Sequence, residues 1–226
     1  MIVRVTICRR AYCFVLAVLI AGCVGAPQRR EEAGPRGPRS QSAGDVFAGT
    51  GRRDAKTSLA DGDIEHYARI SDLRAKLMRD QYMLSLGIPA SPESERSVAE
   101  QRNVVVGGFI YAVKKESDND FHLIVGDRYC SVGSCLMTVE ISGVPAAVTN
   151  PNRAHLTDVR AKFIAHFEGK EPGRSRYTKF DPPIHVTLTG SLFFDVDHEA
   201  GVVGPAGLKP DTAWEIHPLS DIAFEP

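Results

Sequence analysis

Residues 184–220, with the sequence IHVTLTGSLFFDVDHEAGVVGPAGLKPDTAWEIHPLS, decide the fold of this chain. Apolar and polar residues alternate over 184–194 and again over 213–224, a pattern that is typical of strands with one buried face. The segment between them is rich in Gly and Pro, which interrupt regular structure. We therefore predict a strand, a long loop and a closing strand that completes a compact domain.

Three earlier segments also have strand character. Residues 104–115, 121–125 and 136–141 are rich in β-branched and aromatic side chains. Residues 117–120 (SDND) are typical of a turn, so the first two segments are expected to form a hairpin. Within the first segment, the pair Gly107-Gly108 permits a sharp bend or a bulge.

A helix is predicted between the third and fourth strands. Asn150-Pro151 is a typical helix start, and Gly169 is a typical end. The apolar residues between them recur at helical spacing: Leu156, Val159, Phe163, Ile164 and Phe167.

Three strands, a helix and two strands is the element order of the OB-fold, a five-stranded and partly open Greek-key barrel. A long first strand with central glycines suits this fold, because that strand must curve to serve both halves of the barrel. We predict a mainly β, OB-like barrel domain over residues 103–226. The alternative is a small α+β sheet with the same element order.

The segment before the barrel is predicted to contain one more helix. Between residues 61 and 86, apolar side chains recur at spacings of three, four and seven, and Gly87 and Pro89 end the run. These side chains are Ile70, Leu73, Leu77 and Leu84. Residues 88–102 are polar and are expected to connect this helix to the barrel, so 61–102 forms a helix and connector.

The first 22 residues have the character of a secretory signal. Arg4, Arg9 and Arg10 precede a short apolar run that contains no acidic residue. This run is shorter than the ~20 apolar residues that a membrane span needs. A tilted membrane anchor is the alternative.

The end of this signal, LIAGC at residues 19–23, resembles the lipobox of bacterial lipoproteins. The resemblance implies that Cys23 is lipidated and becomes the first residue of the mature, exported chain. The protein would then be anchored by its acyl chains in the cell membrane or outer membrane. Val24 is not the aspartate that is associated with retention in the inner membrane, which favours the outer one. The alternative is an ordinary signal with a chance cysteine.

Charge and composition describe the next region and exclude one class of partner. Residues 23–60 are rich in Gly, Pro, Ser, Ala and Arg without apolar periodicity, which predicts a disordered tether.

From residue 61 onward there are 17 Lys and Arg residues against 24 Asp and Glu residues. Because phosphate recognition needs a basic surface, nucleic-acid binding is disfavoured.

Residues 103–224 also resemble a family of uncharacterised bacterial OB-like domains. The resemblance is carried by VVVGGFIYAVKKESDNDFHLIV at the start, by GSLFFDVDH, and by the closing WEIHPLSDIAF. It implies the barrel fold and adds little about chemistry.

Several polar residues of the last two strands form a candidate site. Asp195, His198, Glu215 and His217 are expected to converge at the start and end of the long loop, with His122 and Glu140 as more distant candidates. Two imidazoles with carboxylates suit Zn²⁺ or a similar divalent metal, and an open coordination position would permit hydrolysis. Acid–base chemistry is a second possibility. A third is a structural role, in which Asp195 and His217 hydrogen-bond the loop backbone.

The cysteines of the barrel, Cys130 and Cys135, lie between the second and third strands. In an exported protein we expect them to form a disulfide.

The sequence therefore predicts a lipid-anchored binding or structural module of the cell envelope. Its ligand would be a glycan, a peptide or a protein partner, by analogy with the fold. The alternative is a metal-dependent hydrolase that uses Asp195, His198, Glu215 and His217 of the last two strands. The compact HExxH, CxxC and GxSxG motifs of known enzymes and metal sites do not occur.

Overall fold

The computed structural model describes residues 45–168 and 172–226. The predicted signal at 1–22, Cys23, most of the tether and Gly169 lie outside these residues. The described part forms six strands: β1 (Ile64–Tyr67), β2 (Asn103–Lys115), β3 (Phe121–Gly126), β4 (Leu136–Ile141), β5 (Thr178–Phe194) and β6 (Trp214–Phe224). It also forms four α-helices: α1 (Arg53–Lys56), α2 (Ile70–Arg74), α3 (Asp80–Ser85) and α4 (Arg153–His166). None of the helices described is long and apolar enough to cross a membrane.

The six strands form one mixed sheet that partly closes into a ring. The strand order is β1-β2-β3-β4-β6-β5, and β2 also pairs antiparallel with β5. The contact between β4 and β6 is parallel and short, with Thr138 opposite Glu215 and Val139 opposite Ile216. Strand β1 adds to the ring as a parallel neighbour of β2.

The alternation of side chains along the strands places one face of the sheet in the apolar core. On β5, Leu188, Leu192 and Phe194 are fully buried in this core, as the sequence pattern predicts. Trp214 and Phe194 meet edge to face, with ring centroids 5.5 Å apart. Helix α4 packs on the sheet through the predicted apolar residues, of which Leu156, Val159 and Phe163 are buried.

The strands agree closely with the prediction, with two differences on β2 and β5. Strand β5 begins at Thr178 rather than at residue 184. The irregularity of β2 lies between Ile110 and Ala112, not at the glycine pair. Gly107 instead allows close approach, because a Cβ atom there would lie 2.8 Å from the carbonyl oxygen of Ala68.

The predicted single helix over 61–86 is wrong. The segment forms strand β1 and the short helices α2 and α3. The backbone N–H and C=O groups of Ile64–Tyr67 pair with the free edge of β2. This non-local pairing overrides the helical periodicity of the local sequence. Ile70 and Leu73 are buried as the periodicity implies, whereas Leu84 is 60% exposed.

The predicted disordered tether does not extend to residue 60, because residues 45–60 are folded onto the sheet. The amide of Phe47 donates to the carbonyl of Val144 at 2.9 Å. Arg52 is 1% exposed and makes a bidentate pair with Glu100, with N–O distances of 2.7 and 3.0 Å. The polar composition of this segment predicts disorder. Part of that polarity, however, belongs to Arg52, which is buried and paired. We call residues 45–60 the strap.

The predicted disulfide between Cys130 and Cys135 is present, with Cα atoms 5.8 Å apart. It closes the loop between β3 and β4.

Candidate metal centre

The second face of β6 carries polar residues, and it is also buried. Trp214 and Ile216 belong to the apolar core, and Glu215 and His217 lie on the opposite face. The side chains of Glu215 and His217 are 4% and 0% exposed. The predicted separation into an apolar and a polar face is therefore confirmed, although solvent reaches neither.

Strand register brings polar residues of β3 and β4 to the same place. His122 of β3 is directly opposite Glu140 of β4. The parallel pairing of Thr138 with Glu215 and of Val139 with Ile216 sets a register that brings Glu140 beside His217, and their side chains are in contact. The resulting group lies on the neighbouring strands β3, β4 and β6, and β6 is distant in sequence from the other two.

Asp120 joins this group from the residue before β3. It lies two residues before His122, which gives both side chains the same parity. Its Oδ1 accepts a hydrogen bond from the amide of Gly143 at 2.6 Å, and its Oδ2 is 3.3 Å from Nε2 of His217. We call Asp120, His122, Glu140, Glu215 and His217 the acid–histidine cluster.

His217 is at the centre of the cluster. Its Nδ1 is 2.8 Å from Oε2 of Glu140 and 3.7 Å from Oε2 of Glu215. The first distance suits a hydrogen bond, but the ring does not direct an N–H at that oxygen, so we treat the contact as electrostatic. Both ring nitrogens of His217 therefore face carboxylates.

One ring nitrogen of His122 contacts Tyr177, and the other points into the cluster. Its Nδ1 is 2.6 Å from the hydroxyl oxygen of Tyr177, and its Nε2 is 3.8 Å from Oε1 of Glu140. In the tautomer in which Nδ1–H donates to Tyr177, the lone pair of Nε2 points at the carboxylates.

The cluster contains polar atoms that are buried without a hydrogen-bond partner. Each member is at most 7% exposed. Among the described residues, five of their atoms have no partner: Oδ2 of Asp120, Nε2 of His122, Oε2 of Glu215, and both ring nitrogens of His217. Because most buried polar atoms are hydrogen-bonded, five such atoms in one place make this cluster a candidate ligand site.

Burial favours the neutral forms of these groups, and it prevails at every member of the cluster except Glu140, whose pKa is lowered by His217 and Lys56 against the effect of burial. Burial, and then the neighbouring Glu140, raise the pKa values of Asp120 and Glu215 well above the usual range. Burial lowers the pKa values of His122 and His217. At neutral pH both imidazoles are therefore neutral, and neutral imidazole is the form that binds metals.

The strap covers the cluster on one side and supplies positive charge. Lys56 lies over the ring of Phe193, with Nζ 5.5 Å from its centroid, and the guanidinium of Arg52 lies 4.6 Å from the same centroid. Burial lowers the pKa of Lys56, but four carboxylates, led by Glu140 and Glu215, outweigh burial and raise it.

The structure divides the four predicted site residues into two pairs. Glu215 and His217 belong to the cluster. Asp195 and His198 lie at the start of the long loop and contact each other, with Oδ2 and Nδ1 2.5 Å apart. The side chain of His198 is 54% exposed, whereas Asp195 is buried.

His122 and Glu140, which the sequence predicts as more distant candidates, lie within the cluster. Asp120, Tyr177 and Lys56 were missed. For Asp120 a signal exists, since its spacing of two from His122 gives both the same strand face. The sequence pattern places Asp120 in the SDND turn and not on the face of the strand.

Comparisons with protein-family models, curated proteins and solved structures give no match for this chain.

A second surface has the exposed apolar character that binding modules use. A groove of about 830 Å³ is lined by Met78, Tyr82, Leu86 and Val98, each of them at least 43% exposed. It shares no lining residue with the cluster.

The spacing of the cluster atoms matches that of metal ligands. Two groups of three residues each have ligand atoms within 4.8 Å of one another, and they share Glu140. The groups are Asp120, Glu140 and His217, and His122, Glu140 and Glu215. Bond lengths of ~2.1 Å in a tetrahedral site place ligands ~3.4 Å apart, within the range of the contacts around His217 and Glu140.

Proposed function

We propose that this protein is a metal-binding module, in which the acid–histidine cluster holds one divalent transition-metal ion between β3, β4 and β6. The observation that carries the proposal is the set of buried nitrogen and oxygen atoms without hydrogen-bond partners. The ion would take up three of them, Nε2 of His122, Nδ1 of His217 and Oε2 of Glu215, since it accepts lone pairs from neutral imidazole and from carboxylate. The other two, Oδ2 of Asp120 and Nε2 of His217, face each other.

The contacts assign a role to each member of the cluster. The proposed ligands are Nε2 of His122, Nδ1 of His217 and the carboxylates of Glu140 and Glu215, which combine residues of the two groups that share Glu140. Asp120 faces the other nitrogen of His217 at 3.3 Å, and Tyr177 holds the other nitrogen of His122. Each ligating histidine thus has its tautomer set by an outer partner, as is usual for metal-bound histidine.

The ligand types indicate the class of metal. Two imidazoles and two carboxylates, without a thiolate, suit Zn²⁺ and related borderline ions better than Cu⁺, which prefers sulfur. Lys56 adds one positive charge near the site, and together with a divalent ion it balances the charges of Asp120, Glu140 and Glu215.

A structural or binding role fits the space around the cluster better than hydrolysis. The cavity beside Glu215 measures about 10 Å³, which is close to the minimum that one water molecule needs. A catalytic zinc site keeps a coordination position open to substrate. The hydrolase alternative would need Asp195 and His198 as ligands, and these contact each other instead.

We also propose that the ring of strands is an OB-like barrel. The closed order β2-β3-β4-β6-β5-β2, with β4 and β6 parallel and α4 between β4 and β5, supports this assignment. Strand β1 and the strap are additions. The resemblance of residues 103–224 to uncharacterised bacterial OB-like domains is consistent with it.

We propose that the module acts in the cell envelope, anchored through lipid on Cys23. The LIAGC sequence at residues 19–23 supports the anchor, and the Cys130–Cys135 disulfide is the bond expected in an oxidising compartment. Mass spectrometry of the N-terminal peptide would detect the acyl chains, and Cys23→Ser should abolish them.

Elemental analysis of the protein, purified without chelator, tests the metal site. The wild-type chain should contain one transition-metal ion per molecule, and Glu140→Gln should lose it while keeping the same circular dichroism spectrum. Glu93→Gln, at an exposed glutamate, is the matched control and should retain the ion. A wild-type protein that stays metal-free after incubation with Zn²⁺, Mn²⁺ and Co²⁺ would refute the proposal.

A further inference from the structure

We propose that Asp195 and His198 form the port through which a divalent cation enters and leaves the acid–histidine cluster. This inference rests on the proposed metal-binding function. It assigns a role to the two predicted site residues that the cluster does not contain.

The port follows from the way the cluster is enclosed. Because every cluster member is nearly or fully buried, an ion must pass through one of the segments that cover them. The strap covers one side, and the loop between β5 and β6 covers another. Gly204 of this loop packs on the cluster face of β3, since a Cβ atom there would lie 3.3 Å from Cδ1 of Ile124.

Charge distinguishes the two sides. The strap presents Lys56, whose Nζ lies over the ring of Phe193 and repels a cation, whereas the charge of Arg52 is compensated by Glu100. The loop side presents Asp195, His198 and Glu199 instead. A cation is therefore attracted to the loop side, where acidic groups concentrate positive ions.

A small cavity connects the two ends of this route. Its lining includes half-exposed His198 at the surface and the buried Glu215 inside, together with Asp195 and Thr138. Oε2 of Glu215 is one of the atoms without a hydrogen-bond partner. The cavity thus leads from an exposed imidazole to a proposed ligand.

The contact of Asp195 with His198 fixes the orientation of the imidazole ring. In the tautomer in which Nδ1–H donates to Oδ2 of Asp195, the lone pair of Nε2 is available. The other oxygen of Asp195 accepts from the amide of Asp197 at 2.9 Å, which fixes the carboxylate. His198 can then bind an ion transiently before it passes to Glu215.

The loop between β5 and β6 covers the cavity, and its backbone conformation depends on glycines. Gly201, Gly204 and Gly207 adopt φ values of 78°, 114° and 81°, which favour glycine. The amide of Gly201 donates to the carbonyl of Pro210 at 2.7 Å and closes the loop on itself. Because the cavity is only about 10 Å³, passage of an ion requires this cover to move.

Metal-exchange kinetics test the port. Apo-protein is mixed with Co²⁺ in a stopped-flow spectrometer, and the loaded protein is then mixed with excess EDTA. Uptake and release are compared for the wild type, His198→Ala and the control His155→Ala, which removes an exposed histidine of α4. A port residue lowers both rates by the same factor, expected to be about tenfold or more, and leaves the bound stoichiometry unchanged.

Each outcome has a distinct meaning. Equal slowing of uptake and release in His198→Ala, with His155→Ala like the wild type, supports the port, and Asp195→Asn should give a similar but smaller slowing. Unchanged rates in both variants would overturn the port and leave the metal site intact. Complete loss of Co²⁺ from His198→Ala would also overturn it, because His198 would then be a ligand. A wild-type protein without Co²⁺ would overturn the port and the metal site together.

Discussion

Nδ1 of His217 lies 2.8 Å from Oε2 of Glu140, and this contact joins the last strand of the ring to its third. The two residues belong to β6 and β4, which pair over only two residue positions. The short parallel contact between these strands is therefore supplemented by side chains. An ion held between Glu140 and His217 would fasten the ring where its backbone pairing is shortest.

We expect metal removal to lower the stability of the protein. A ligand present at 100 times its Kd stabilises a folded protein by about 2.7 kcal/mol. For a chain of this size that corresponds to a decrease in Tm of about 5 to 10 °C after EDTA treatment. Differential scanning calorimetry measures the shift, which should reverse with added Zn²⁺.

Glu140→Gln is the control for this effect. Its Tm should not respond to EDTA or Zn²⁺, because a ligand carboxylate of the proposed site is missing. An equal response in the wild type and Glu140→Gln would place the stabilising ion elsewhere.

The strap should depend on the buried ion pair between Arg52 and Glu100. Arg52 also donates to the carbonyl of Phe194 at 2.9 Å, so the pair connects the strap to β5. Glu100→Gln leaves a buried guanidinium without its counter-charge, which typically costs about 3 to 5 kcal/mol. Urea denaturation measures the change in the free energy of unfolding.

Asp72→Asn is the matched control, because it removes the acid of an exposed pair with Arg69. These side chains are 39% and 64% exposed, and such surface pairs contribute little to stability. Similar losses in Glu100→Gln and Asp72→Asn would show that the strap is not held by its ion pair.

The fold could be predicted where local pattern and tertiary structure agree. The alternation along β2 to β4 and β6 and the turn before Phe121 place these strands within one or two residues. The segment from residue 61 could not be predicted, because Ile64–Tyr67 becomes a strand through an edge of β2 that local periodicity does not reveal. For the same reason Arg52 in the strap resembled a solvated residue of a tether.

The site was predicted in part, and the reason is strand parity. Glu215 and His217 could be assigned to one face from their spacing alone. Their convergence with His122 and Glu140 depends on which strands are neighbours, and the parallel pairing of β4 with β6 decides it. Asp195 follows the last residue of β5, so it turns toward His198 rather than toward His217.

The ion pair between Glu65 and Arg102 should give stability that disappears in acid. The hydrogen bond from Arg102 lowers the pKa of Glu65 to about 2, below its ordinary value of 4.5. A lowered pKa in the folded state means that the contribution is complete above about pH 4.5 and is lost as the pH falls toward 2. Because Glu65 is 36% exposed, the contribution should be less than about 1 kcal/mol.

Urea denaturation of the wild type and Glu65→Gln at pH 6, 4 and 3 checks this dependence. The wild type should be the more stable protein at pH 6, and the difference should shrink at each lower pH. Glu93→Gln should show no such convergence. A difference that stays constant from pH 6 to pH 3 would contradict the assigned ion pair.

Lys56 should compete with a bound cation for the carboxylates of the cluster. Its ammonium group is attracted by Glu140 and Glu215, and its position over Phe193 places it on the strap side of the site. In Lys56→Met this positive charge is removed and the apolar stem is largely kept. We expect Zn²⁺ to bind about tenfold more tightly, which corresponds to ~1.4 kcal/mol of removed repulsion.

The same substitution should destabilise the metal-free protein, since the buried carboxylates lose the positive charge of Lys56. Isothermal titration with Zn²⁺ and urea denaturation in EDTA measure the two effects, with Lys179→Met, at a lysine outside the cluster, as the control. Tighter binding together with lower metal-free stability is the expected combination. Weaker Zn²⁺ binding in Lys56→Met would mean that Lys56 positions the carboxylates for the ion and does not compete with it.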